Sequence, residues 1–197
     1  MKRIAITGGM GSGKSYVCHL LQTQWGVSVY DCDAAAKRLM RTSPLLRQQL
    51  SDLIGPETYL PSMGDGTDGD YTLNKAAVAQ FLLASPENAH AVDAIVHPAV
   101  ADDFLHSGMQ WMECAILYES GFDRLVDRVI VVTAPLGLRL QRIMQRDGIS
   151  EAQARQWLSR QWTQEEVRRR ADYEVVNDGM QPLIPQLAPI IHENLQQ

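Results

Sequence analysis

Apolar positions along this chain come in two rhythms, short runs near both ends and helical spacing through the middle. Arg3-Ile4-Ala5-Ile6-Thr7 reads as a buried strand, and Tyr16-Val17-Cys18-His19-Leu20-Leu21 carries the spacing of a helix that Gly26 stops. Val27-Ser28-Val29-Tyr30 predicts a second strand, which delivers Asp31-Cys32-Asp33 at its carboxyl end. From residue 43 to residue 108 one helix follows another, with Ser43-Pro44, Ser85-Pro86 and His97-Pro98 as starts or breaks. Residues 60–70, rich in glycine and aspartate, interrupt that run and read as an exposed loop. Its likeness to a calcium loop is loose, because no bidentate glutamate follows at the proper distance. Strand composition returns in residues 111–119, too apolar for a sheet edge, and in residues 128–133, the clearest buried parallel strand. Residues 139–170 are charged and helical, residues 173–177 predict a last short strand, and residues 182–195 an amphipathic helix.

Strands alternating with helices predict an α/β fold with a parallel sheet. The division expected is a core of residues 1–33, 109–136 and 172–197, a helical region 34–108 that could cover an acceptor substrate, and a lid 137–171. A chain of 197 residues suffices for one substantial core, so these are read as parts of a single domain. The net charge of -5 gives no reason to expect a nucleic-acid partner, because phosphate-backbone binders carry a basic face. Cys18, Cys32 and Cys114 lack metal or redox spacing, and the apolar start breaks at Thr7-Gly8-Gly9, too soon for a signal or a membrane span. The expectation is a cytoplasmic protein with reduced thiols, no membrane partner, and a monomeric or weakly homo-oligomeric state.

The stretch between the first strand and the first helix holds the clearest chemistry. Gly8-Gly9-Met10-Gly11-Ser12-Gly13-Lys14-Ser15 fits G-x-x-x-x-G-K-[ST] in the strand-loop-helix context the motif requires. Glycines let main-chain N–H groups turn inward around phosphate oxygens, and the helix opening at Gly13 adds its positive end. Lys14 would reach the β- and γ-phosphates of ATP, and the Ser15 hydroxyl would hold Mg2+. A dinucleotide fold is a weaker rival, since the spacing is G-x-G-x-G. A GTPase would need Asn-Lys-x-Asp, and Asn74-Lys75-Ala76-Ala77 lacks the aspartate.

Other candidates have ordinary readings beside functional ones. Of Asp31 and Asp33, one carboxylate can take a proton from an acceptor hydroxyl and the other can help hold water or magnesium, while Asp33 can also cap the helix beginning at Ala34. His97 is a core histidine or a ligand, and Glu119 a site acid or a helix-start acid. Residues 139–170 hold eight arginines and no lysine, with Arg142 and Arg146 spaced to share one helical face. Planar guanidinium suits a transferring phosphoryl group, giving a phosphate-facing lid, although Asp147, Glu151, Glu165 and Glu166 could pair with some of them. Asn177 fits an adenine edge, yet Asn177-Asp178-Gly179 is also turn chemistry.

Taken in order, Gly8 to Ser15, Asp31-Cys32-Asp33, Ile95-Val96-His97-Pro98, Leu117-Tyr118-Glu119, Gln145-Arg146-Asp147, Gln161, Ala171-Asp172 and Asn177-Asp178-Gly179 resemble the dephospho-coenzyme A kinase family over nearly the whole length. The resemblance implies a P-loop NTPase-type three-layer fold with five parallel strands, a helical coenzyme-A-binding region and an arginine-bearing lid. It implies ATP-dependent phosphorylation of the ribose 3'-hydroxyl of dephospho-coenzyme A. Asp33 would be the base, Lys14 and Ser15-bound magnesium would face the donor phosphates, and Arg142 with Arg146 the transferring group. His97 and Glu119 would lie near the acceptor, and residues 8–16 with Asn177 near the nucleotide. The chain departs from the family pattern at Tyr16, Ala115, Tyr118, Trp162-Thr163 and Glu174. Another P-loop small-molecule kinase, of the nucleoside monophosphate or shikimate type, is the alternative.

Overall fold

The computed structural model describes residues 2–61 and 71–195. The chain forms two compact units, one of Met1–Asp31 with Gly108–Gln197, the other of Cys32–Ser107.

The first unit begins with β1 (Ile4–Thr7), whose four residues are all buried, followed by α1 (Lys14–Trp25) and β2 (Val29–Asp31). Gly26 stops α1 as expected. It takes a left-handed φ of 67°, and its N–H returns to the carbonyls of Leu21 and Gln22.

The second unit opens with α2 (Cys32–Thr42) and α3 (Pro44–Ile54), then pairs β3 (Tyr59–Pro61) antiparallel with β4 (Tyr71–Leu73) before α4 (Lys75–Ala84) and α5 (Pro86–His106). Ser43 and Ser85 cap α3 and α5 by accepting the N–H groups of Leu46 and Asn88, as their Ser-Pro dipeptides predict. Two expectations change here. Leu60 and Pro61 belong to a small sheet, and the rest of the expected exposed loop, residues 62–70, lies outside the described residues. His97-Pro98 does not break its helix, because α5 runs through Pro98 without interruption. A proline inside a helix costs about 3 kcal/mol. Val92, Val96, Val100 and Phe104 are buried along one face of α5, and burial at about 1.5–3 kcal/mol per side chain outweighs that cost.

The first unit resumes with β5 (Trp111–Glu113), β6 (Arg128–Thr133), α6 (Leu136–Asp147), α7 (Glu151–Leu158), α8 (Gln164–Arg170), β7 (Tyr173–Val176) and α9 (Leu183–Leu195). The sheet order is β2-β5-β1-β6-β7 and every pair is parallel. Ile4, Ile6, Ile130, Val132 and Val175 join Val17 and Leu21 of α1 and Leu187, Ile190 and Ile191 of α9 in one core. The alternate residues Ala5, Val129 and Val131 are buried as well, so the central strands are covered on both faces. The strand expected over residues 111–119 is shorter. It ends at Glu113, and residues 115–121 turn before a 3-10 segment, Phe122–Leu125.

Candidate active site

The loop of residues 8–13 is shaped from outside as much as by its own glycines. Gly13 precedes α1 with φ 95°, and its carbonyl accepts the N–H groups of Tyr16 and Val17, each at 3.1 Å. A Cβ there would collide with Nδ2 of Asn177 unless that amide moved, so both the left-handed φ and the space favour glycine. The same Nδ2 donates to the Ser12 carbonyl at 2.8 Å. Arg142 donates through Nη1 to the carbonyls of Gly11 and Ser12, each at 3.2 Å, and Arg139 donates through Nε to the Met10 carbonyl at 2.9 Å. In a trans peptide the N–H points away from the preceding carbonyl. Holding the carbonyls of Met10 and Ser12 therefore turns the N–H groups of Gly11 and Gly13 away from Arg139, Arg142 and Asn177, while the Ser12 N–H donates to the Gly9 carbonyl at 3.1 Å; inward N–H groups of this kind are what an anion requires. Ser12 Oγ is buried in the loop with no hydrogen-bond partner among the described residues.

Lys14 is 9% exposed at the first position of α1. Ser15 follows, and its hydroxyl donates to Glu113 Oε1 at 3.0 Å. Glu113 ends β5 and pairs in register with Asp31, which ends β2, so two carboxylates close adjacent strands of the same sheet edge. Hard oxygen donors of this kind suit magnesium, which takes one or two carboxylates and leaves its other positions to water and phosphate. Cys18 lies one turn along α1. Burial and then the Glu113 carboxylate push its thiol far up, which keeps it neutral and unreactive. None of the three cysteines forms a disulfide.

Asn177 also lines a cleft of about 350 Å³ with Tyr16, Leu20 and the segment from Gly179 to Ile184. Tyr16 is 57% exposed and Met180 88% exposed, so the cleft presents apolar surface to solvent. Asp178 shapes its rim by accepting the N–H groups of Met180 and Gln181, each at 2.9 Å, and these bonds hold its carboxyl below the usual range. The adenine-edge reading of the Asn177 amide meets a competing geometry. Nδ2 is engaged by Ser12, and Oδ1 and the main-chain carbonyl by Arg142 Nη2 at 3.4 and 3.2 Å.

The two arginines spaced to share one helical face have different partners here. Arg142 turns its fork onto the loop and Asn177. Arg146, one turn later on α6, is exposed and grips Asp147 through Nε and Nη2 at 2.8–3.2 Å. That hydrogen bonding pulls the Asp147 carboxyl down and raises Arg146. Arg155 is likewise paired with Glu151, Arg168 with Glu165 and Glu174, and Arg169 with Glu165. Glu119 does not arrive on a strand. It sits in the turn after β5, where Oε1 accepts the main-chain N–H of Trp162 at 3.1 Å.

In the second unit, Asp33 is exposed in the first turn of α2. The helix starts at Cys32, so Asp33 is its second residue and not the cap expected before Ala34. His97 is half-buried on α5, with Nε2 3.5 Å from Asp93 Oδ1 one turn earlier. Among the described residues, no helix is long and apolar enough to cross a membrane.

Of the residues at the loop, Glu113 escaped the sequence reading, Arg139 entered it only as one of eight lid arginines, and Gln161 only as part of the resemblance; Gln161 Oε1 accepts the Met10 N–H at 2.9 Å. An acid closing an apolar run was the available signal for Glu113. Nothing local distinguishes Arg139 from its neighbours.

Comparison with known proteins bears on what this arrangement serves. The sequence model of the dephospho-CoA kinase family matches residues 2–182. A dephospho-CoA kinase of Bacteroides fragilis is 40% identical over 200 residues, spanning 96% of this chain and 91% of that protein. Among solved structures, TT1252 from Thermus thermophilus aligns with a TM-score of 0.79 and 30% identity over 97% of this chain and 96% of that one. The shikimate kinase of Acinetobacter baumannii, in complex with shikimate, aligns with a TM-score of 0.55 at 17% identity over 100% of this chain and 93% of that one, a likeness of fold alone.

Proposed function

The chain belongs to the dephospho-CoA kinase family, and from that premise we propose how its residues carry out the family's reaction. The enzyme phosphorylates the 3'-hydroxyl of dephospho-coenzyme A with ATP, the last step of coenzyme A synthesis. The observation that carries the reading is the loop of residues 8–13, its carbonyls held outward, opening onto Lys14 and a Ser15 hydroxyl bonded to Glu113.

In this proposal residues 8–16 surround the phosphate tail of ATP, which is held by the Lys14 ammonium and by those N–H groups of the stretch not engaged within the protein, Gly11 and Gly13 among them, and the cleft of Tyr16, Asn177 and Met180 takes its base. Ser15 and Glu113 would hold Mg2+, with Asp31 at the same sheet edge. A magnesium ion there would neutralise charge on the phosphate oxygens. Asp33 accepts the proton of the acceptor hydroxyl as it attacks, and His97 and Glu119 stand with the acceptor side. Arg146 exchanges Asp147 for the oxygens of the transferring group, where a bidentate fork matches their geometry. Arg142 acts on the phosphates through the loop whose carbonyls it holds. Residues 34–108 are read as the coenzyme-A-binding region and residues 137–171 as the lid, within a cytoplasmic enzyme that is monomeric or weakly homo-oligomeric.

Purified protein with ATP and magnesium is expected to convert dephospho-coenzyme A to a 3'-phosphorylated product and to leave AMP, CMP and shikimate unchanged. Equal turnover of AMP or shikimate would move the protein to the alternative class of P-loop kinases.

A further inference from the structure

We infer that Gln161 is a positioning residue for the phosphate-binding loop, and that Tyr118, Trp162 and Arg170 form the mount that keeps it in place. The inference rests on reading residues 8–15 as the cradle for ATP.

Met10 is flanked by Gly9 and Gly11, and its peptide groups are gripped on both sides. Its N–H donates to Gln161 Oε1 at 2.9 Å, and its carbonyl accepts from Arg139 Nε at 2.9 Å. Glycine neighbours impose little backbone preference of their own, so these two bonds hold the main chain at Met10, while its side chain packs against the cluster of Leu140, Ile143 and Ala154. Arg139 is buried on α6. Gln161 has no such footing, because it lies in the link between α7 and α8.

Its neighbour supplies the footing. The Trp162 N–H is held by Glu119 Oε1 at 3.1 Å. The indole stacks on the Tyr118 ring with centroids 5.6 Å apart and planes 11° apart, and the Arg170 guanidinium lies 4.5 Å from the indole centroid and 5.6 Å from the phenol centroid. Stacked rings with a cation over them are attractive in their own right. Tyr118 and Glu119, in the turn after β5, are thus linked through Trp162 and its neighbour Gln161 to the Met10 N–H.

A bond that only strengthened the fold would lower thermal stability and leave substrate affinities alone. A positioning bond changes the ATP side selectively. The test is ATP binding by calorimetry without acceptor, followed by steady-state kinetics with each substrate varied, on the full chain. Gln161→Met keeps length and removes the acceptor oxygen, so ATP Kd and KM should rise about tenfold, while KM for dephospho-coenzyme A stays within twofold. Trp162→Ala should give the same selective loss, Trp162→Phe should stay near wild type, and the double variant Gln161→Met with Trp162→Ala should lose no more than Gln161→Met alone. An unchanged ATP Kd in Gln161→Met overturns the inference, as do losses that multiply in the double variant. Should Gln161→Met fail to fold, equal ATP affinity in Trp162→Ala and Trp162→Phe overturns it instead. Failure of the functional reading looks different: the wild type would bind ATP and leave dephospho-coenzyme A untouched.

Discussion

The Ser15 hydroxyl donates to Glu113 Oε1 at 3.0 Å, which joins the residue after the loop lysine to the last residue of β5. Glu113→Gln keeps the shape of that contact and removes its charge. The expected result is a rise of about tenfold in the magnesium concentration that half-saturates the reaction, with ATP binding in the absence of metal little changed. An unaltered magnesium titration would remove Glu113 from the metal site.

Asp33, exposed near the start of α2, is assigned the proton of the acceptor hydroxyl. General-base catalysis typically contributes about 10²–10⁴ in rate. Asp33→Asn should therefore lower kcat by roughly 10² or more, with ATP Kd within twofold. Wild-type turnover in this variant would leave Asp33 as a favourable charge at a helix N-terminus and no more.

Two glycines with the same backbone sign separate strain from collision. Gly26, with φ 67° and open space around its Cα, should cost about 1–2 kcal/mol on replacement by alanine. Gly13, with φ 95°, adds a collision with the Asn177 amide, so Gly13→Ala should cost more than Gly26→Ala in urea unfolding and should also abolish ATP binding. Equal costs would show that Asn177 yields freely.

The Tyr118 hydroxyl is buried without a hydrogen-bond partner among the described residues, and burial is the first cause that pushes its pKa up to about 12. Removing an unsatisfied buried group relieves its desolvation cost. Tyr118→Phe should leave thermal stability unchanged or raise it by about 1 kcal/mol, and a clear loss would reveal a partner for the hydroxyl.

Asp178 titrates below its ordinary value of 3.8 because the folded state gives its carboxylate the N–H groups of Gln181 and Met180. A depressed folded pKa means a contribution present above about pH 4 and lost as pH falls through the folded value. Asp178→Ala should be less stable than wild type at pH 7, and the gap should close as the pH is taken down towards 2. A gap that stays constant over that range would place the effect in the turn geometry and not in the charge.

The parts of the fold legible in the sequence were those set by local pattern. Gly8 to Ser15 declare themselves by spacing, Gly26 by ending a periodic stretch, and Ser43 and Ser85 by capping chemistry. What stayed hidden depended on partners far along the chain. Helical spacing places Arg142 and Arg146 on one side of α6, but the carbonyls that draw Arg142 away belong to Gly11, Ser12 and Asn177. The apolar run past Cys114 gives no sign that β5 stops at Glu113, so the acid that closes the strand was passed over for Glu119. Pro98 reads as a break wherever the buried face that overrides it is out of view. Glu174 looked misplaced in a strand until its two oxygens were seen to serve Thr133 and Arg168 at 2.8 and 2.7 Å.

The nucleotide cradle is written into the first 15 residues, yet its walls are supplied by Arg139, Arg142, Gln161 and Asn177. During synthesis the motif leaves the ribosome long before the side chains that give it form. The last of them, Asn177, follows Ser12 by 165 residues, so on the proposed reading ATP meets a finished fold as a guest and takes no part as its template.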